Sequence, residues 1–229
     1  MNDISILKQL RDGLVVSCQA QPGEPLHEPD IMVAMAKTAI AAGAVGIRAN
    51  GPADIRAIHT AIQVPLIGLY KIDLQGYAVR ITPTLKSAQE ISAAGADLVA
   101  LDATFRPHPD NLTAAELIQQ VHATCSRLVL ADIATFDEGL AAQDAGAEAV
   151  STTLSGYTAD SPSQEDPDFD LIEKLARRLS IPVIAEGRIT TPSQARHALE
   201  LGAYAVVVGT AITRPGWITE QFVRGITSR

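Results

Sequence analysis

The sequence predicts an α/β protein folded as a single closed (β/α)8 barrel, the TIM-barrel architecture, on three observations. First, a helix-ending glycine turn occurs four times, at Ala42-Gly43-Ala44, Ala94-Gly95-Ala96, Ala145-Gly146-Ala147 and Leu201-Gly202-Ala203, and each copy leads into an aliphatic run. Glycine just past a helix takes the left-handed conformation that ends it, and a short aliphatic run suits a buried parallel strand. Second, the turns lie about fifty residues apart, room for two strand–helix units each, so four turns count out eight units. Third, the chain has 229 residues, close to the size of one such barrel, and no low-complexity linker divides it. One domain over residues 1–229 is expected.

The glycine-led runs supply the even strands: Val45-Gly46-Ile47, residues 98–101, Ala149-Val150-Ser151 and residues 205–208. The odd strands lie between them, at residues 14–18, 65–69, 128–131 and 182–185. Two of these begin at proline, which a strand tolerates at its first position. Helical segments at residues 30–42, 84–94, 113–124, 136–145, 171–179 and 193–201 separate the strands. Thr135 before Phe136-Asp137-Glu138, and Thr191 before Pro192, are helix-start signals. Repeated units impose right-handed crossovers and a parallel sheet. A doubly wound open sheet is the competitor, but it usually carries a glycine-rich phosphate turn after its first strand. Gln19-Ala20-Gln21-Pro22-Gly23 is not that turn. Two longer segments, 71–83 and 152–170, follow strands three and six. The second is rich in Ser, Asp, Gly and Pro and suits a lid and a solvated connection equally.

The formal net charge of −8 disfavours nucleic acid and anionic membranes as partners, and any phosphate site must be local. No apolar stretch is long enough to span a bilayer. The start, Met1-Asn2-Asp3-Ile4-Ser5, lacks the basic and apolar regions of a signal peptide. Cys18 and Cys125 form neither a disulfide framework nor a metal spacing. A cytoplasmic protein is expected.

In such a barrel the residues just past the strands face the site. Those positions hold Gln19, Arg48, Lys71, Asp102, Asp132, Thr152 with Thr153, Glu186, and Gly209 with Thr210. A charge set directly against an aliphatic run is costly unless paired. A structural ring of ion pairs and a catalytic site both account for the pattern. A second signal lies in the last two units, Glu186-Gly187-Arg188 and Gly209-Thr210-Ala211. Glycine there admits close approach of backbone amides to an anion, the usual phosphate position of these barrels. Arg188 and Arg214 are candidate phosphate partners. His27, His59, His122 and His197 form no metal-ligand pair, and neither a metal triad nor a dinucleotide turn is evident. His108, beside Arg106, is expected as a solvated loop residue, and Trp217 as packing for the last helix or a subunit contact. The inventory suits cofactor-free proton transfer on a sugar phosphate. Lys71 acts as base only when neutral, and burial together with Arg48 would lower its pKa in that direction. Glu186 is its partner acid or base.

The chain resembles the N-acetylmannosamine-6-phosphate (N-acylglucosamine-6-phosphate) 2-epimerases. The stretches that carry the resemblance are Gly13-Leu14-Val15-Val16-Ser17-Cys18-Gln19-Ala20, Gly68-Leu69-Tyr70-Lys71, Leu101-Asp102-Ala103-Thr104, Ala131-Asp132-Ile133, Thr152-Thr153-Leu154-Ser155-Gly156-Tyr157-Thr158, Ala185-Glu186-Gly187-Arg188-Ile189 and Val208-Gly209-Thr210-Ala211-Ile212-Thr213-Arg214-Pro215. It covers essentially the whole chain. It implies epimerisation at C2 of an N-acetylhexosamine 6-phosphate in sialic-acid catabolism, with no cofactor. It implies Lys71 and Glu186 as the proton-transfer pair, and Gln19, Arg48, Asp132, Thr153 and Tyr157 as sugar-binding residues. Gly187, Arg188, Gly209, Thr210 and Arg214 would hold the phosphate, and a homodimer is implied. One departure is visible: members often have arginine where His108 stands. Four other classes compete: a thiamine-phosphate-synthase-like transferase, a decarboxylase of the orotidine-phosphate type, a pentulose-phosphate enzyme and a non-catalytic sugar-phosphate-binding regulator or scaffold. The first would need a Mg2+ carboxylate cluster, and the second an Asp-x-Lys-x-x-Asp run that Lys71-Ile72-Asp73 lacks.

Overall fold

Eight parallel strands close on themselves in chain order: β1 (Leu14–Cys18), β2 (Gly46–Asn50), β3 (Leu66–Leu69), β4 (Leu98–Asp102), β5 (Leu128–Asp132), β6 (Ala149–Ser151), β7 (Val183–Glu186) and β8 (Ala205–Val208), with β8 paired back onto β1. The structure is a computed structural model and describes residues 5–227. The leaderless start expected at residues 1–4 lies outside the described residues. Helices alternate with the strands: α1 (Ser5–Leu10), α2 (Pro29–Ala41), α3 (Pro52–Ala61), α4 (Leu85–Ala94), α5 (Ala114–Cys125), α6 (Phe136–Asp144), α7 (Phe169–Arg178), α8 (Pro192–Glu200), α9 (Thr210–Thr213) and α10 (Pro215–Thr227). The four glycine turns end helices as expected, with φ of 103° at Gly43, 110° at Gly95, 99° at Gly146 and 101° at Gly202. Threonine side chains at Thr84, Thr113, Thr135 and Thr191 close capping boxes at the opposite ends of four helices.

The strand period of two divides the core into layers. Odd-layer residues such as Val99, Leu101, Val129 and Val150 pack outward against the helices. Val15, Ile67, Leu69, Leu98, Ala100, Leu128, Leu130, Ile184 and Val207 pack inside the barrel. Leu7 and Leu10 of α1 join this inner cluster and close the barrel at the strands' N-terminal end. The fit there is tight: a Cβ at Gly46 would lie 2.6 Å from Leu10 Cδ2. Continuing the inward parity toward the C-terminal mouth gives Ser17 and Gln19, Arg48 and Asn50, Lys71, Asp102, Asp132, Ser151 and Thr153, Glu186 and Gly209. The alternation that packs the core thus aims the polar residues into the mouth.

α10 is the exception to this packing. None of its residues is buried, and Phe222, Val223 and Ile226 are 70%, 52% and 80% exposed. Among the described residues, no helix is long and apolar enough to cross a membrane.

Candidate active site

Arg48 is the centre of the mouth. The strand-end expectation placed it just past β2, but it lies inside that strand, because β2 runs on to Asn50. Its side chain is 1% exposed and rises through the barrel interior. Nη2 and Nη1 donate to Asp132 Oδ2 and Oδ1 at 2.6 and 3.1 Å, and Nη1 also reaches Glu186 Oε2 at 2.7 Å. Thr153 Oγ1 lies 2.7 Å from Asp132 Oδ1 and 3.1 Å from Glu186 Oε2, and Ser151 Oγ lies 2.9 Å from Thr153 Oγ1. Burial alone would lower the Arg48 pKa, but Asp132 and Glu186 outweigh it and the net shift is upward. Its Nε–H is buried without a partner.

Lys71 stands beside this cluster. Nζ donates to Gln19 Oε1 at 2.7 Å, and Gln19 Nε2 donates in turn to Ser17 Oγ at 2.8 Å. Burial lowers the Lys71 pKa, and the charge of Arg48 adds to the shift; Glu186 and Asp132 oppose it. Burial raises the Glu186 pKa, with Arg48 opposing and Asp132 reinforcing. The two groups are thereby drawn toward each other in pKa, the condition for exchanging protons near neutral pH.

One cavity of about 850 Å³ opens at this mouth, and eleven of the twelve expected site residues line it: Gln19, Arg48, Lys71, Thr153, Tyr157, Glu186, Gly187, Arg188, Gly209, Thr210 and Arg214. Asp132 does not. It is 0% exposed and stands behind Arg48, with both carboxylate oxygens taken. Tyr157 sits at the rim, 61% exposed, with the Arg188 guanidinium 5.2 Å from its ring centroid. Arg188 donates to the carbonyls of Asp166 and Ser155 at 2.8 and 2.6 Å, tying the β6–α7 segment to the end of β7. Arg214 pairs with Glu24, whose other oxygen accepts from the Gln21 N–H. Gly187 and Arg188 take φ of 107° and 56°, a sharp turn that sets this wall of the cavity.

Two expectations are corrected. His108 is not solvated: it is 1% exposed, with Nδ1 3.2 Å from the Pro83 carbonyl, because its loop folds down between neighbouring units. Trp217 lines the cavity rather than only packing its helix. The sequence also concealed Ser17, Ser151, Glu24 and Asn50. Ser17 and Ser151 had a signal, a hydroxyl at an inward position of an aliphatic strand. Glu24 had none, since its partner Arg214 is 190 residues away.

A closed parallel barrel with an acid–base set and a glycine-walled cavity at the strands' C-terminal ends is the arrangement of a (β/α)8-barrel enzyme. Comparison with known proteins narrows the class. The model of the family described as "Putative N-acetylmannosamine-6-phosphate epimerase" matches residues 32–228, and the chain belongs to this family. A protein of Caldanaerobacter subterraneus subsp. tengcongensis named "Putative N-acetylmannosamine-6-phosphate 2-epimerase" is 53% identical over 227 residues, 99% of this chain and 96% of the relative. One of the same name from Cutibacterium acnes is 49% identical over 219 residues, 95% of each. The solved N-acetylmannosamine-6-phosphate 2-epimerase of Clostridium perfringens superposes with a TM-score of 0.92 at 44% identity, covering 95% of this chain and 94% of that one. Thiamine phosphate pyrophosphorylase of Pyrococcus furiosus, at 15% identity and a TM-score of 0.61, shares the fold alone.

Proposed function

We propose that the protein interconverts N-acetylmannosamine 6-phosphate and N-acetylglucosamine 6-phosphate by removing and returning the proton on C2, within sialic-acid and amino-sugar catabolism, and that the single barrel holds all the groups required. The observation that carries this reading is the Lys71 amine, lowered in pKa and held by Gln19, in one cavity with Glu186 and Arg48. In the open-chain sugar C2 lies next to the C1 aldehyde. Neutral Lys71 takes the C2 proton, and the electron pair moves onto the carbonyl oxygen as an enolate. Arg48, whose side chain lines the cavity, supplies positive charge to that oxygen. A proton then returns to the opposite face, and the aldehyde re-forms. Lys71 follows β3 and Glu186 ends β7, four strands apart in a ring of eight, which supports delivery to opposite faces. Gln19 and Thr153 hold sugar hydroxyls and the N-acetyl group. Asp132 acts behind Arg48. Tyr157 covers the sugar from the rim. Gly187, Gly209 and Thr210 present backbone amides to the phosphate, with Arg188 and Arg214 beside it. No cofactor enters this scheme.

The test is a coupled assay with N-acetylmannosamine 6-phosphate together with wash-in of solvent deuterium at C2. Turnover and exchange in the wild type, both lost in Lys71→Ala, are expected. Binding without turnover would instead favour a sugar-phosphate regulator.

The same reading includes a homodimer joined through α10. Its support is the exposed ridge of Phe222, Val223 and Ile226 on a helix with no buried residue, an apolar face that a second copy would cover. Sedimentation of Phe222→Asp tests it: a wild-type dimer that becomes a monomer is expected, and a monomeric wild type overturns it. A cytoplasmic location is supported by the free thiols of Cys18 and Cys125, and a lack of nucleic-acid partners by the net charge of −8.

A further inference from the structure

We infer that Thr82, together with Asn50, positions the Lys71 amine for proton transfer at C2; the inference rests on the assignment of Lys71 as the base. Lys71 lies two residues beyond the end of β3, where a chain ordinarily leaves the sheet as a free loop. Here the chain comes back. Lys71 pairs antiparallel with Ile81, Ile72 N donates to Arg80 O at 3.0 Å, and Asp102 N donates to Ile81 O at 2.9 Å. The β3–β4 register ends at Gly68 and Val99, so the returning residues fill the gap between the two strands above that point.

Thr82 closes this return. Its N–H donates to Tyr70 O at 2.8 Å, and its Oγ1 accepts from Tyr70 N at 3.0 Å. The same hydroxyl donates to Ala100 O at 2.6 Å. One fully buried residue thus anchors both backbone groups of the residue before Lys71, the carbonyl through its own N–H and the N–H through its hydroxyl, and the hydroxyl ties them to β4. On the other flank, Lys71 N donates to Asn50 Oδ1 at 2.8 Å, and Asn50 is the last residue of β2. The peptide units around Lys71 are therefore fixed from two neighbouring strands.

Thr82 does this at φ 46°, in the left-handed region that a β-branched residue enters only under strain. A turn needed for folding alone would be better served by glycine or asparagine. Threonine gives up that ease and gains the hydroxyl. Backbone strain of this kind persists where the surroundings over-determine it, and it concentrates at functional sites. Proton transfer supplies the reason. A lysine has a long flexible stem, and a small misplacement of a reacting group costs rate steeply.

The test compares Thr82→Ser, which keeps the hydroxyl, with Thr82→Val, which keeps the shape and loses it, and uses Lys71→Ala as reference. Thr82→Ser should stay within about twofold of wild-type kcat, and Thr82→Val should lose about tenfold or more in kcat with KM nearly unchanged. The acidic limb of the kcat profile should also move to higher pH in Thr82→Val, because a displaced amine regains solvent. The charges around Lys71 are Arg48, Glu186, Asp132 and Arg80. Thr82 adds none, so a moved limb reports the amine's own displacement. A folded Thr82→Val with wild-type kcat and profile overturns the inference, as does equal loss in the serine and valine variants. If Thr82→Val does not fold, Asn50→Ala takes its place with the same expected split, and wild-type kcat there overturns it. A Lys71→Ala protein that still exchanges C2 refutes the base assignment and this inference with it. An inactive Lys71→Ala beside an unaffected Thr82→Val refutes only the positioning role.

Discussion

Arg48 reaches from the middle of β2 to place Nη1 2.7 Å from Glu186 Oε2 on β7, while both its terminal nitrogens hold Asp132. Two carboxylates therefore share one buried cation. Arg48→Met leaves both without a counter-charge, and breaking a buried pair in this way costs about 3–5 kcal/mol. Glu186 sets the pH dependence. Its folded pKa lies above the unfolded value because of burial, so it costs stability as pH rises between the two. Removing Arg48 widens that window, and the deficit of Arg48→Met should deepen from acid to neutral pH. Urea unfolding at several pH values measures this. A deficit that is small and flat with pH would show that the cluster is not held by Arg48.

Lys71 should titrate below the ordinary lysine value. Burial first, and Arg48 second, hold its pKa below the ordinary lysine range. Only the neutral amine accepts a proton, so kcat should fall as pH drops through this lowered pKa. Reductive methylation read by mass spectrometry gives an independent measure. Lys71 should acquire label at lower pH in the folded protein than in the urea-unfolded chain. Labelling of Lys71 at the same pH in both states would remove the physical basis for its role as base.

How much of this was legible in the sequence follows from period and reach. The glycine turns and aliphatic runs are local signals, and the eight strands stand where those signals put them, with β1, β6 and β8 bounded as expected. Arg48 was misplaced by a few residues because Ala49-Asn50 does not look aliphatic enough to continue a strand, yet its inward parity with Gly46 still aims it at the mouth. The strand-end rule found Lys71 and Glu186 because their charge is conspicuous there. It missed Thr82, whose importance lies in a backbone conformation, and Glu24, whose partner Arg214 is brought close only by closure of the barrel between β8 and β1. Asp132 was legible as a site residue but not as one screened from the cavity, because the sequence does not reveal that Arg48 and Thr153 occupy its oxygens.

Arg188 should prove to be a tether for the β6–α7 segment as well as a phosphate neighbour. Its bonds to Ser155 O and Asp166 O bridge the twelve residues 155–166, which include the rim residue Tyr157. Arg188→Ala should raise amide hydrogen exchange in residues 155–168 while leaving β7 and β8 protected. KM for the phosphorylated substrate should rise more than kcat falls. Unchanged exchange in that segment would show that Ser155 and Asp168, joined at 2.6 Å, hold it without Arg188.

The two glycines of the proposed phosphate wall should fail differently when given a methyl group. At Gly187 the space exists, since an added Cβ would lie 3.6 Å from Thr152 O, but φ of 107° does not suit an L side chain. Gly187→Ala should therefore cost about 1–3 kcal/mol of stability through backbone strain, and relief of that strain would distort the turn and weaken phosphate binding. Gly209 has an ordinary φ of −114°, and its added Cβ would meet Ser17 Cβ at 3.2 Å, a tight contact that a shift of a few tenths of an ångström relieves. Gly209→Ala should unfold close to the wild-type temperature yet bind inorganic phosphate more weakly, because the methyl group intrudes where the backbone must approach the anion. Calorimetric titration with inorganic phosphate, beside thermal unfolding, separates the two effects. A Gly209→Ala protein with unaltered phosphate affinity would move the phosphate site away from the β8 end and leave Gly187 and Arg188 to account for it alone.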